Sequence, residues 1–161
     1  MIDESPLYEL ANQVGQALKA RNLMLTTAES CTGGWVSEVI TAIPGSSEWF
    51  DRAYVTYSNR AKQEMLGVSP QTLTNFGAVS EEAAREMAVG AAKEAKVGVS
   101  LAITGIAGPA GALPHKPVGM VCFAWFIQDR LVCQTQNFSG NRYEIRRQSV
   151  IYSLQGLLDR L

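Results

Sequence analysis

Residues Val97 to Thr104 read VGVSLAIT, an almost wholly apolar run that stops at a Gly/Pro-rich loop, Gly105 to Pro117. A run this short and this apolar predicts a strand covered on both faces. Such a strand needs a layer on each side of its sheet, so helices must flank it. The preceding stretch supplies one of them. Ser80 followed by Glu81 and Glu82 is a helix start, because acids in the first turn suit the dipole. Ala83, Ala84, Met87, Ala88, Ala91, Ala92 and Ala95 then give that helix a small-residue face for close packing onto the sheet.

The other periodicities complete the pattern. Leu7, Leu10, Ala11, Val14 and Leu18 predict a helix from Leu7 to Ala20. Leu23 to Ala28 reads as a strand, and Thr32 to Ile43 as a helix entered through Gly33-Gly34 and stopped before Pro44-Gly45. Ala53 to Tyr57 reads as a second strand, and Ser58 or Asn59 caps the helix after it, which ends near Gly67. Val118 to Ile127 and Leu131 to Phe138 predict a hairpin across Gln128-Asp129-Arg130. Arg142 to Leu161 closes the chain as a helix with Ile145, Val150, Leu154, Leu157, Leu158 and Leu161 as its buried stripe. The order α-β-α-β-α-α-β-β-β-α implies the α/β class. The expectation is a single-domain layered fold over residues 1–161, with a mixed β-sheet flanked by helices, the hairpin making the sheet mixed.

Composition narrows the function. The 161 residues suit one domain, and 14 Lys+Arg against 15 Asp+Glu leave a formal charge of −1. That balance gives no basic footprint for nucleic acid. Cys31, Cys122 and Cys133 are few and odd in number, which fits reduced thiols rather than a disulfide framework. With His115 as the sole histidine, a His-rich metal site is excluded, and a Ser-His-Asp triad must use His115 or not exist. His115 lies in an exposed-looking LPHKP loop with no metal partners near it. The opening MIDESPLYEL has no basic n-region, so no signal peptide is expected, and no apolar run approaches the ~18 residues of a membrane span. A cytoplasmic protein without membrane or nucleic-acid partners is expected. The apolar hairpin suggests an interface and hence a homo-oligomer.

Three strands end in polar residues followed by a turn or helix start: Thr26 to Gly34, Tyr57-Ser58-Asn59, and Thr104-Gly105-Ile106-Ala107-Gly108-Pro109. In α/β sheets ligands bind beyond the carboxyl ends of strands, so these ends are expected to converge on one pocket. Ser30 would sit at a strand-to-helix turn with the amides of Cys31, Thr32, Gly33 and Gly34 free to hold an oxyanion or a phosphate. The alternative is that Ser30 or Thr32 only caps the helix. Cys31 is a second possible nucleophile at the same turn, or a small inert core residue. Lys62 lies in the first turns of a helix, where a cation opposes the dipole. Burial and the dipole both lower its pKa, so it can serve a serine as general base without a histidine, with Tyr57 orienting or relaying the proton. The alternative is a solvated lysine and a packed tyrosine. Arg142, Arg146 and Arg147 crowd the first turns of the last helix. Arg142 and Arg146 share a face and read as a cradle for a phosphate or carboxylate, or else as surface partners of Glu144 or a neighbouring subunit.

At these residues the chain resembles a known family. TTAESCTGGWVS (26–37), VTYSNRAKQEMLGV (55–68), GAVSEEAA (77–84), ITGIAGP (103–109), KPVG (116–119) and FSGNRYEIRRQSV (138–150) are similar, in order and over nearly the whole chain, to the CinA C-terminal domain family. Its best-known members are nicotinamide-nucleotide amidohydrolases, or NMN deamidases. The resemblance implies the stand-alone form, without the molybdopterin-cofactor-type domain. It places the catalytic serine on Ser30, the lysine on Lys62, the tyrosine on Tyr57 and a pocket threonine on Thr104. The implied activity is deamidation of nicotinamide mononucleotide to nicotinate mononucleotide and ammonia, in pyridine nucleotide salvage, with no metal or organic cofactor. Thr32, Gly33, Gly34, Thr104 and Gly105 would line the substrate, and Arg142 and Arg146, by their position at the start of the last helix rather than by the resemblance, would take the phosphate. The loop Ala110-Gly111-Ala112-Leu113-Pro114-His115 departs from the family, which usually carries further glycines or an acid before KPVG. That departure motivates the rival reading, a non-catalytic pyridine-nucleotide-binding paralogue. A cysteine amidase using Cys31 is a third.

Overall fold

A computed structural model describes all 161 residues. Five strands form one sheet in the order β2-β1-β3-β4-β5. They are β1 (Leu25–Glu29), β2 (Phe50–Val55), β3 (Val99–Gly105), β4 (Met120–Ile127) and β5 (Arg130–Asn137). β1 pairs in parallel with both β2 and β3, whereas β3-β4 and β4-β5 are antiparallel. The sheet is therefore mixed, as the hairpin predicts. Six helices flank it: α1 (Ser5–Ala20), α2 (Trp35–Thr41), α3 (Asn59–Leu66), α4 (Pro70–Phe76), α5 (Glu81–Ala95) and α6 (Arg142–Arg160).

β3 is the central plank, and its alternation sets the two layers. Val99, Leu101 and Ile103 pack with α1, α2 and α6. Ala102 joins Ala28, Cys122 and Ala124 against the alanine face of α5. Small residues on both surfaces let helix and sheet approach closely, and the Ser100 hydroxyl even donates to the Ala88 carbonyl at 2.6 Å. α5 in turn carries α3. A Cβ built on Gly90 would lie 1.9 Å from the Leu66 carbonyl oxygen, so only glycine permits this approach. That contact matters because α3 bears Lys62.

Several boundaries differ from the sequence expectation. α2 starts at Trp35, not Thr32, because Gly33 and Gly34 take φ of 60° and 101° and form a separate turn. β2 spans Phe50–Val55 rather than Ala53 to Tyr57, which leaves Tyr57 beyond its end. As an edge strand it exposes Asp51 and Arg52, and these polar residues mask it in the sequence. Helix α4 has no counterpart in the sequence periodicity. Ser69 caps it by accepting from Thr72 N, and Pro70 supplies the pre-set first turn. The hairpin turns on Gln128 and Asp129 alone, both at positive φ (46° and 72°), the geometry of a two-residue turn. No helix is long and apolar enough to cross a membrane.

Candidate active site

Because β2, β1 and β3 run parallel and adjacent, their carboxyl ends lie side by side. The chain continues from them as Ser30, Thr56-Tyr57 and Ile106. Two backbone bonds tie these exits together, Ser30 N to the Ile103 carbonyl (3.0 Å) and Thr56 N to the Glu29 carbonyl (2.9 Å). Beyond them opens a cleft of about 230 Å³ lined by Ser30, Tyr57, Lys62, Thr104, Gly105 and Arg142 among others. The three polar strand ends thus converge, as their positions in the sequence predict.

Lys62 and Ser30 meet in this cleft. The side chain of Lys62 is 1 % exposed and Ser30 is 7 % exposed. Lys62 Nζ lies 3.0 Å from Ser30 Oγ, 2.8 Å from the Thr56 carbonyl and 3.4 Å from the Tyr57 carbonyl. No carboxylate pairs with it. Burial without a counter-ion disfavours the ammonium and lowers its pKa from the usual 10.5 to about 8. A neutral amine has two N–H donors and one lone pair. Two carbonyls and one hydroxyl are a matching set of partners for it.

Burial acts on Cys31 in the opposite sense. The thiol is pushed up to about 12, chiefly by desolvation, so it is protonated at neutral pH. Thr104 is buried and its hydroxyl donates to the Ala78 carbonyl at 2.7 Å, pinning the Ala78-Val79 segment that lines the cleft. A side chain at Gly105 would meet Val121 at 2.7 Å, so the strand end stays bare.

The turn after Ser30 differs from the expectation, and Glu29 is the reason. Its fully buried carboxylate accepts from Thr32 Oγ1 (2.7 Å), Gly34 N (3.2 Å) and Val36 N (2.9 Å) on one oxygen and from Ser37 N (3.1 Å) on the other. Gly33 N is also committed, to the Ser30 carbonyl at 3.0 Å. The Thr32 hydroxyl and the Gly33 and Gly34 amides are therefore not open to a ligand, correcting that expectation. The amides of Cys31 and Thr32 alone in this turn have no partner in the chain. Of these two, Cys31 lines the cleft, whereas Thr32 is fully buried and does not, so the Cys31 amide is the donor this turn offers a ligand. Glu29 sits inside the AESCTGG block, where a lone acid entering a helix was the available signal. Glu29→Gln places a donor among four donors, and is expected to cost on the order of 2–4 kcal/mol. A thermal melt should show a fall of about 5 °C or more.

The arginines separate. Arg142 lines the cleft mouth, giving Nη1 to the Gly108 carbonyl (2.9 Å) and Nη2 to the Tyr57 hydroxyl (3.2 Å). Arg146, one turn on, does not line it. Its Nε and Nη2 donate to the Cys31 and Thr32 carbonyls, each at 3.0 Å, and its guanidinium lies over Trp35 at 5.3 Å. Its shared face with Arg142 does not make a two-arginine cradle, because those donors already have acceptors. Tyr57 contributes a carbonyl to Lys62, while its hydroxyl reaches Arg142 rather than the amine.

A family model described as the CinA C-terminal domain matches residues 7–161. The nicotinamide-nucleotide amidohydrolase PncC of Escherichia coli K12 is 53 % identical over 96 % of this chain and 94 % of its own length. The PncC of Pseudomonas putida is 45 % identical over 95 % and 96 %. A CinA-like protein of Syntrophobacter fumaroxidans is 50 % identical, but the match spans 32 % of that longer protein. Among solved structures, a competence-damaged protein (CinA) superfamily protein from Escherichia coli superposes with a TM-score of 0.95 at 36 % identity, over 100 % of this chain and 94 % of that one.

Proposed function

The chain belongs to the CinA C-terminal domain family, and we propose that it is an amidohydrolase that converts nicotinamide mononucleotide to nicotinate mononucleotide and ammonia. One observation carries the chemistry: a buried lysine amine, without a counter-ion, 3.0 Å from a serine hydroxyl. The relatives named nicotinamide-nucleotide amidohydrolase support the substrate.

In this reading neutral Lys62 takes the Ser30 hydroxyl proton as Oγ attacks the carboxamide carbon. The carbonyl π pair moves onto oxygen, and the Cys31 amide, which lines the cleft, receives the oxyanion. The intermediate collapses as Lys62 returns its proton to the departing nitrogen. The C–N bond breaks, ammonia leaves, and Ser30 holds the acyl group. Water attacks next, giving a proton to Lys62. Ser30 leaves as the alcohol with that proton, and nicotinate mononucleotide is released. The Tyr57 and Thr56 carbonyls orient the amine. The Tyr57 hydroxyl acts through Arg142 rather than by direct proton relay. Thr104 and Gly105 shape the wall of the cleft.

Phosphate recognition falls to Arg142. Its side chain is exposed at the mouth, and two of its five N–H donors are engaged by the chain. Arg142→Ala should raise KM for nicotinamide mononucleotide about ten- to a hundred-fold. KM for nicotinamide riboside, which lacks the phosphate, should stay within about threefold. Equal losses on both substrates would move the phosphate elsewhere.

The deciding assay is ammonia release from nicotinamide mononucleotide by the purified protein. Release that stops in Ser30→Ala supports the amidohydrolase. Calorimetric binding without release would support the non-catalytic paralogue instead.

A further inference from the structure

Arg142 carries the one charge around Ser30 that nothing in the chain absorbs. Arg147 has the Glu4 carboxylate at 3.6 Å, and Arg146 spends its fork on the Cys31 and Thr32 carbonyls. Arg142 pairs with no carboxylate. Its two partners, the Gly108 carbonyl and the Tyr57 hydroxyl, are neutral. They come from the chain leaving β3 and the chain leaving β2, the strands on either side of β1. The guanidinium is thus pinned between the two exits that flank Ser30. Its root is fixed as well, because Asn141 and Glu144 close a capping box on the first turn of α6.

The Tyr57 hydroxyl is not used up by this bond. A phenol has one donor hydrogen besides its acceptor lone pairs. Toward Arg142 Nη2 it accepts, at 3.2 Å, and its own hydrogen has no acceptor in the chain. Tyr57 is 63 % exposed and lines the cleft together with Arg142, so an incoming anion can reach both. A guanidinium N–H beside an O–H suits two oxygens of one phosphate. The same hydroxyl bonds neither Ser30 Oγ nor Lys62 Nζ, as a proton relay would have to. Tyr57 meets the amine only through its backbone carbonyl, which any residue supplies.

Resting on the reading of Arg142 as phosphate ligand, we propose that the Tyr57 hydroxyl is the second ligand, donating to a phosphate oxygen while it accepts from Arg142, so that the two side chains form one site for the substrate's phosphomonoester. Tyr57 then discriminates phosphorylated from unphosphorylated nucleosides and takes no part in moving the Ser30 proton. Binding at a fork already held by two tethers needs little further ordering of the arginine.

The experiment compares wild type, Tyr57→Phe, Arg142→Ala and the double variant. Phenylalanine keeps the ring and the backbone carbonyl and removes only the hydroxyl. In Tyr57→Phe, KM for nicotinamide mononucleotide should rise about tenfold, and KM for nicotinamide riboside should stay within about threefold. kcat should hold on both substrates, with the rising pH limb still near 8. In the Arg142→Ala background the same change should cost less than about threefold, because the hydroxyl and the guanidinium act as a pair. A kcat loss shared by both substrates, or a displaced limb, would make Tyr57 a proton-transfer residue and overturn the proposal. Wild-type KM in Tyr57→Phe, or full additivity in the double variant, would overturn it too. Ribose 5-phosphate has the phosphate and no carboxamide, so its Kd by calorimetry probes the pair apart from the chemistry, and it should weaken about tenfold in Tyr57→Phe. Wild type that releases no ammonia, yet binds ribose 5-phosphate in this Tyr57-dependent way, would overturn the substrate reading and leave the paired site standing.

Discussion

Lys62→Met is expected to abolish ammonia release and, at neutral pH, to make the protein more stable. Both effects have one cause. The amine is buried without a counter-ion, and its pKa falls from 10.5 to about 8. Holding it protonated in the fold therefore costs on the order of 3 kcal/mol relative to the unfolded chain. Methionine fills a similar volume without that cost. The lost bond to the Thr56 carbonyl takes back about 1 kcal/mol, leaving a net gain of about 2 kcal/mol and a Tm rise of about 4 °C or more. The sign with pH follows from the depressed folded-state value. Between about pH 8 and 10.5 the unfolded chain binds more protons at Lys62 than the fold does, so wild-type stability rises with pH across that window. The advantage of Lys62→Met should be full below pH 8 and shrink toward pH 10.5. A difference that is constant or grows with pH would mean the lysine is not held against its charge.

The same value sets the rate profile. At pH 7 about one molecule in ten carries the neutral amine, so kcat/KM should rise roughly tenfold toward a plateau above pH 8. Lys62→Arg should be inactive, since arginine cannot deprotonate. His115→Ala should leave the limb in place, because His115 lies in the exposed loop away from the cleft. A limb that vanishes with His115 would remove lysine from the mechanism.

What the sequence revealed, it revealed through residues that local stability would not choose. A lysine in the first turns of α3 and a serine between a strand and a glycine turn are such choices, and they meet in the structure. The apolar run of β3 and the alanines of α5 likewise imply a helix packed tightly on a central strand. Other features depend on where a polar group finds its partner, which spacing does not encode. Glu29 is one acid among many until β1 is seen to carry it under the entry to α2. Arg142 and Arg146 share a face by the four-residue rule, yet one reaches the cleft mouth and the other the backbone of the Ser30 turn. Tyr57 could be placed at a strand end, but not the direction of its hydroxyl. β2 begins earlier than the sequence implies because an edge strand need not look apolar, and α4 leaves no signal because its seven residues carry little periodicity.

Ser30→Ala is expected to reduce ammonia release by at least about 10³-fold, while Cys31→Ala keeps activity within about threefold of wild type. The two residues are neighbours, and both line the cleft. Their surroundings separate them. Ser30 Oγ has a base in hydrogen-bond range, Lys62 Nζ at 3.0 Å. Cys31 has no base bonded to its sulfur, packs among the α1, α2 and α6 core residues, and has its thiol pushed up to about 12. At pH 8 about one thiol in 10⁴ is then ionised, and iodoacetamide should label it orders of magnitude more slowly than a free cysteine. The nearby Lys62 and Arg146 charges favour the thiolate, but desolvation is the larger effect. Rapid alkylation of Cys31 that also stops ammonia release, with Ser30→Ala still active, would reverse the assignment. Slow alkylation with full loss in Ser30→Ala leaves the hydroxyl beside the buried amine as the group that attacks.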